Sequence, residues 1–220
     1  MSVPHRSRRS LAIEFGVLFG VLPLLATAAD GRIPLLVMLG SAATACMVML
    51  LGDPAFNRRG LWNAGPALPG HTSRELWRVL GTFVVVGGAL TALVAWARPE
   101  ILFYFPRARP ELYALVMLAY PVLSVIAQNV IYRAFIFHRY RDLFTDPRDM
   151  IIASALAFGF AHVIFQNVLA VLLTAAGGLL FARTYARTRS LVLASIEHTL
   201  YGWLIITIGL GWYVYLGAVR

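Results

Sequence analysis

Seven stretches of the chain stay apolar over helical lengths: Leu11–Ala28, Ile33–Leu51, Val79–Ala97, Leu112–Phe137, Met150–Phe165, Val168–Ala182 and Leu191–Leu216. About 20 apolar residues cross the hydrocarbon of a bilayer as a helix, so the pattern predicts an all-α, polytopic transmembrane bundle. The last stretch is long enough for one tilted helix, or for two shorter ones broken near Gly209 and Gly211. That gives seven or eight spans in a single integral membrane domain over residues 1–220. The fourth stretch runs ~39 Å at 1.5 Å per residue, so it must tilt, kink at Pro121 or protrude.

Polar punctuation sets the connectors. Gly52–Ser73 carries Pro54, Pro66 and Pro69 with Gly60, Gly65 and Gly70, which reads as an irregular loop. A second loop, Arg98–Pro110, holds Phe103, Tyr104 and Phe105, side chains suited to a membrane interface. Arg6, Arg8 and Arg9 precede the first apolar run, and Ala26-Thr27-Ala28 resembles a signal-peptidase site. Glu14 lies inside that run and a second span follows almost at once, so Leu11–Ala28 is read as a retained helix.

Composition strengthens the membrane assignment. The chain is 60% hydrophobic and 13% charged, with a mean hydropathy of +0.74; soluble domains carry about 25% charged residues. The net charge of +9 comes entirely from arginine, since there is no lysine. These arginines fall in short runs between apolar stretches, which argues for lipid headgroups as partners and against nucleic acid. One set of loops holds Arg6, Arg8, Arg9, Arg58, Arg59, Arg74, Arg78, Arg139, Arg141, Arg148, Arg183, Arg187 and Arg189. The opposite set holds only Arg32, Arg98, Arg107 and Arg109. By the positive-inside rule this places the N-terminus in the cytoplasm; the expected setting is a bacterial inner membrane. Cys46 is the single cysteine, so no disulfide framework forms within one chain.

Candidate chemistry lies in polar residues inside the spans: Glu14, Gln128, Asn129, Arg133, His162, Glu197 and His198. Such groups tend to face a protein interior or a watered cavity. From the arginine-rich side, helix rise places Gln128 ~18 Å along from Tyr140, His162 ~20 Å from Asp149 and His198 ~14 Å from Arg189. Three helices therefore carry polar groups to a similar depth from one face. Asn129 and Arg133 are four apart and share a face, as do Phe158 and His162. Gln128 and Asn129 are about 100° apart on a helix, so both can border one cavity. Glu197 adjoins His198 and points elsewhere.

Plainer roles are open for each. Gln128 and Asn129 suit interhelical hydrogen bonding, Arg133 can snorkel to headgroups, and either histidine can be a packing residue. Glu14 suits a neutral acid bonded to a neighbouring helix, and Gly177-Gly178 a close helix crossing.

Three short motifs join these residues. Gln128-Asn129-Val-Ile-Tyr-Arg133, Phe158-Gly-Phe-Ala-His162 and His198-Thr-Leu-Tyr-Gly202 resemble the Glu-Glu-x-x-x-Arg, Phe-x-x-x-His and His-x-x-x-Asn motifs of the CPBP family of intramembrane proteases, also called the CAAX-processing or Abi family. Order, spacing and helical setting agree over Ala119–Gly211. Gly177-Gly178-Leu-Leu-Phe and Arg187-Thr-Arg-Ser190-Leu also resemble the family's stretch before its last histidine. The resemblance implies a protease-like core over about residues 112–211, a peptide or membrane-protein substrate, and catalytic roles for Gln128, Asn129, Arg133, His162 and His198. It implies no organic cofactor, and leaves a metal open.

The departures are chemical. Both carboxylates of the first motif are amides, and the closing Asn is Gly202. An amide donates and accepts hydrogen bonds but takes no proton at neutral pH. Gln128 can orient a water but not deprotonate it, which leaves His162, His198 or Glu197 as base. Two histidines without a carboxylate fall short of the three protein ligands of a catalytic zinc. The leading expectation is an intramembrane endopeptidase; the alternatives are a pseudoprotease serving as a binding or immunity scaffold, and a small transporter. Against the transporter, no internal repeat is visible.

Overall fold

A computed structural model describes residues 7–28, 34–61 and 71–216, which form helices joined by turns, with no strand among them. Six helices are long and apolar enough to cross a membrane: α1 Arg8–Ala28, α2 Leu35–Gly52, α3 Ser73–Ala97, α4 Pro110–Arg139, α5 Pro147–Phe165 and α6 Val168–Thr188. A shorter apolar helix, α7 Leu191–Thr207, follows. Each of the first six apolar stretches of the sequence thus becomes one helix of an all-α integral membrane bundle. The last stretch breaks as the glycines suggest: α7 ends at Thr207, and Gly209 turns the chain with φ +94°. A Cβ there would also run into the carbonyl of Ile101, so only glycine fits. Residues 62–70 of the Gly52–Ser73 connector, with Arg6 and Arg32, lie outside the described residues.

Local chemistry fixes several helix starts. Asp146 accepts from the Arg148 amide at 2.7 Å with Pro147 at the first helical position of α5. Asn167 caps α6 through the Leu169 amide, and Ser190 caps α7 through the Leu193 amide. Each side-chain oxygen satisfies an N–H that the helix itself leaves unpaired.

The bundle is apolar outside and polar within. Trp96, Leu118, Val85 and Leu156 are exposed on the outer faces, where hydrocarbon is the solvent. Asn129, Arg133, Ser154, Glu197 and His198 are buried. Burying apolar side chains gains little in lipid, so small residues and polar contacts govern helix packing. α5 and α6 show this. A Cβ on Gly159 would lie 2.5 Å from Cβ of Ala175, and one on Gly178 would lie 3.1 Å from the Ala155 backbone. Gly177 meets only Phe181 of its own helix, so the crossing uses Gly178 and Gly159 rather than the Gly177-Gly178 pair.

α4 is longer than the hydrocarbon is thick, and it is not a regular α-helix. Pro121 lacks the N–H that would bond back along the helix, and a π-helical turn runs Pro121–Val125. A second covers Val130–Phe135. Single π turns often mark functional sites, and this one contains Arg133.

Ion pairs tie the arginine-rich end. Arg139 at the end of α4 forks onto Glu14 of α1 at 2.8 and 2.9 Å, and the Tyr140 hydroxyl donates to the same carboxylate at 3.2 Å. Glu14 is therefore an ion-paired carboxylate, in place of the neutral acid considered from sequence. Arg187 and Arg78 both bond the buried Glu75. His138 bonds Asp53 at 2.8 Å, while Arg141 donates to the other ring nitrogen of His138.

The hydrogen bond from His138 holds the Asp53 carboxyl below its ordinary value. A depressed carboxylate stabilises the fold above its unfolded pKa and loses that contribution as pH falls through the folded value. We therefore expect the detergent-solubilised protein to lose part of its melting temperature below about pH 4. Asp53→Asn should flatten that step at a cost near neutral pH of under ~1 kcal/mol, as for a largely solvated pair. An unchanged acid limb in this variant would assign the step to other carboxylates.

Candidate functional site

The second motif sits where α5 changes character. The α-helical part ends at Ala161, and His162 opens a 3-10 turn over His162–Phe165, closed by Gln166 with φ +50°. Tightening the last turn aims the imidazole Nδ1 at the carbonyl of Phe158, 2.7 Å away. A carbonyl only accepts, so Nδ1 carries the proton and Nε2 keeps a lone pair. His162 lines a cavity of about 660 Å³.

Phe158 is the hub of the site. Its ring lies 4.8 Å from the His162 ring and 5.3 Å from the His198 ring. The Arg133 guanidinium carbon stands 5.0 Å from the same ring centre and 5.7 Å from that of Phe181. Phe181 stacks on His198 with centroids 4.5 Å apart and planes 18° from parallel. The three motifs, widely separated in sequence, thus close around one aromatic pair.

The first motif divides in two. Gln128 lines the cavity with His162 and His198. Asn129 and Arg133 do not; they lie behind the wall, so only one of the two amides expected to border the cavity does. The Asn129 amide nitrogen donates to Ser195 Oγ at 3.1 Å and faces His198 Nδ1 at 3.4 Å. In this orientation His198 Nδ1 accepts, and its Nε2 bears the proton. The two imidazoles are thus set in complementary tautomers, one with a free lone pair at Nε2 and one with a proton there.

Arg133 is fully buried rather than snorkelling. Its Nη1 reaches Ser154 Oγ at 3.0 Å and the Tyr132 carbonyl at 3.3 Å. Among the described residues its Nε and Nη2 find no hydrogen-bond partner, nor does Oδ1 of Asn129 one turn away. A buried guanidinium is stable when paired and bonded on every donor; here the position next to it holds an amide where the resembled motif has a carboxylate. Glu197, the other buried polar group of α7, bonds Thr184, and its Oε2 has no hydrogen-bond partner among the described residues. It faces away from the cavity, as its place beside His198 requires.

Some of the site was not legible in the motifs. Ser195 lies one turn before His198, and Ser154 bonds both Arg133 and the Tyr132 carbonyl. Tyr120 and Tyr201 line the cavity. So do Leu22, Leu39 and Cys46 of α1 and α2, which lie wholly outside the motif region. Among the described residues no group of three or more His, Cys, Asp or Glu converges as a metal site. The two imidazoles at the cavity fall short of a usual catalytic zinc set, so no step below is routed through a metal.

The class defined by this fold and cavity is a polytopic membrane protein with two imidazoles and one amide, Gln128, on the wall of an apolar chamber. Residues 110–204 match the family model for type II CAAX prenyl endopeptidase Rce1-like proteins. No curated protein and no solved structure matches the chain.

Proposed function

We propose that the protein is an intramembrane endopeptidase in which an imidazole takes the part of the missing carboxylate. The observation that carries this is the tautomer of His162: its Nδ1–H is committed to Phe158, and its Nε2 lone pair belongs to a residue on the cavity wall. Water held by Gln128 gives a proton to Nε2 of His162 as its oxygen attacks the carbonyl carbon of a peptide bond. The carbonyl π electrons move to oxygen, and Nε2–H of His198 donates to the oxyanion. The His162 imidazolium then protonates the leaving nitrogen as the C–N bond breaks. Arg133 orders the wall by holding Ser154 and the Phe158 face; it does not reach the reacting atoms. The substrate is a peptide segment admitted from the membrane, with the arginine-rich rim and the N-terminus on the cytoplasmic side.

The test compares new protein N-termini in membranes from cells making the unaltered chain and the His162→Ala, His198→Ala variant. Termini found only with the unaltered chain support the peptidase. Identical profiles, with both proteins folded and present, sink it.

A second reading, a binding scaffold without hydrolysis, is favoured by Gln128 and Asn129 and by the unpaired donors of Arg133. Restoring carboxylates by Gln128→Glu and Asn129→Glu separates the two. A gain of cleavage from a silent parent identifies a scaffold whose chemistry was lost with its carboxylates. Cleavage already present in the parent removes this reading.

A further inference from the structure

Gly202, the last residue of the third motif, faces Tyr120 of α4. A Cβ at position 202 would overlap the Tyr120 hydroxyl and the ring carbons beside it. The phenol therefore occupies the volume that a side chain at 202 would fill. Tyr120 lies 6.2 Å from the His198 ring, edge to face, and both line the cavity.

Two interhelical hydrogen bonds next to the contact hold this placement. The Trp203 indole N–H donates to the Met117 carbonyl at 2.9 Å, and the Tyr113 hydroxyl meets Thr207 Oγ1 at 2.9 Å. These two bonds zip α4 onto α7 along the segment that precedes Tyr120 on α4 and follows Gly202 on α7. Immediately after Tyr120, a π-helical turn begins at Pro121. A turn of α4, two interhelical hydrogen bonds and the absence of a side chain at 202 thus cooperate to set one hydroxyl at the wall beside His198.

We propose that Tyr120 supplies the second hydrogen bond to the scissile carbonyl oxygen, beside that from His198. This inference rests on the peptidase reading. A phenol donates one hydrogen bond and carries no charge at neutral pH; fixed beforehand at the place where negative charge develops, it stabilises the oxyanion without reorganising. Gly202 and Tyr120 act as one unit, since a larger residue at 202 would push the hydroxyl out of place.

The experiment follows the rate at which new N-termini appear in membrane vesicles holding the full chain, with melting temperatures in detergent measured alongside. Tyr120→Phe keeps the ring over Gly202 and removes only the hydroxyl. Its expected rate is about 10²-fold lower at an unchanged melting temperature. In the Tyr120→Ala background, adding Gly202→Asn returns a hydrogen-bonding side chain to the vacated volume, and the rate should recover at least about tenfold. A Tyr120→Phe rate equal to that of the unaltered chain overturns the inference and leaves the peptidase reading intact. Loss of melting temperature together with rate in Tyr120→Phe also overturns it, because the hydroxyl then serves packing. Absence of termini from the unaltered chain itself overturns the peptidase reading and this inference with it.

Discussion

His162→Gln is expected to slow hydrolysis by about 10²–10⁴-fold, the usual worth of a general base, while the protein stays folded. Glutamine is close in size and can still donate from its amide toward the Phe158 carbonyl, which His162 now meets at 2.7 Å. It offers no basic nitrogen to the cavity. His198→Gln is expected to cost less, about 10²–10³-fold, because it removes one oxyanion donor and leaves the base in place. It also leaves Asn129 without its ring partner, with Ser195 still bonded. The rates of appearance of new N-termini in membranes, normalised to the amount of folded protein, measure both. A His162→Gln protein as fast as the unaltered one would remove His162 from the chemistry and pass the base to His198 or Glu197.

The largest structural effect is expected at Gly159. Even alanine there brings its Cβ to 2.5 Å from Cβ and 2.9 Å from Cα of Ala175, and a backbone atom on a packed helix cannot swing aside. Gly159→Leu must force α5 and α6 apart at the segment that ends in His162. Overpacking of this kind costs about 1–3 kcal/mol, and more where the backbone itself must move. Gly177→Ala is the matched control. Its Cβ would meet only the Phe181 ring, 3.2 Å away, on its own helix, and it should stay within ~0.5 kcal/mol. Unfolding midpoints in mild detergent compare the two. Equal midpoints for Gly159→Leu and the unaltered chain would mean that the two helices are not held by this contact.

Gly159 also shows where the sequence could mislead. Gly177-Gly178 is the conspicuous pair, yet the crossing runs through Gly178 and the isolated Gly159, while Gly177 turns to the cavity. A pair of adjacent residues cannot point the same way on a helix, so proximity in sequence divided what packing needed. Gln128 and Asn129 repeat the lesson. Adjacent amides part at the wall, one entering the cavity and the other going behind it to Ser195 and His198. Glu14 gave no sign of its partner, because Arg139 lies 125 positions away.

What the sequence determined by itself was the periodic and compositional part. Apolar runs of bilayer length, arginine runs between them, and polar residues at matched depth define an all-α bundle of seven or eight spans. They also place His162 and His198 in the same layer, since rise per residue is fixed by the backbone hydrogen bonds. The tertiary structure decided what depends on rotation and on neighbours distant in the chain. It selected the lone pair of His162 through the 3-10 turn, placed Tyr120 in the space over Gly202, and closed the chamber with α1 and α2. Rotation about a helix axis is set by packing against other helices in lipid, and no local pattern in one segment encodes it.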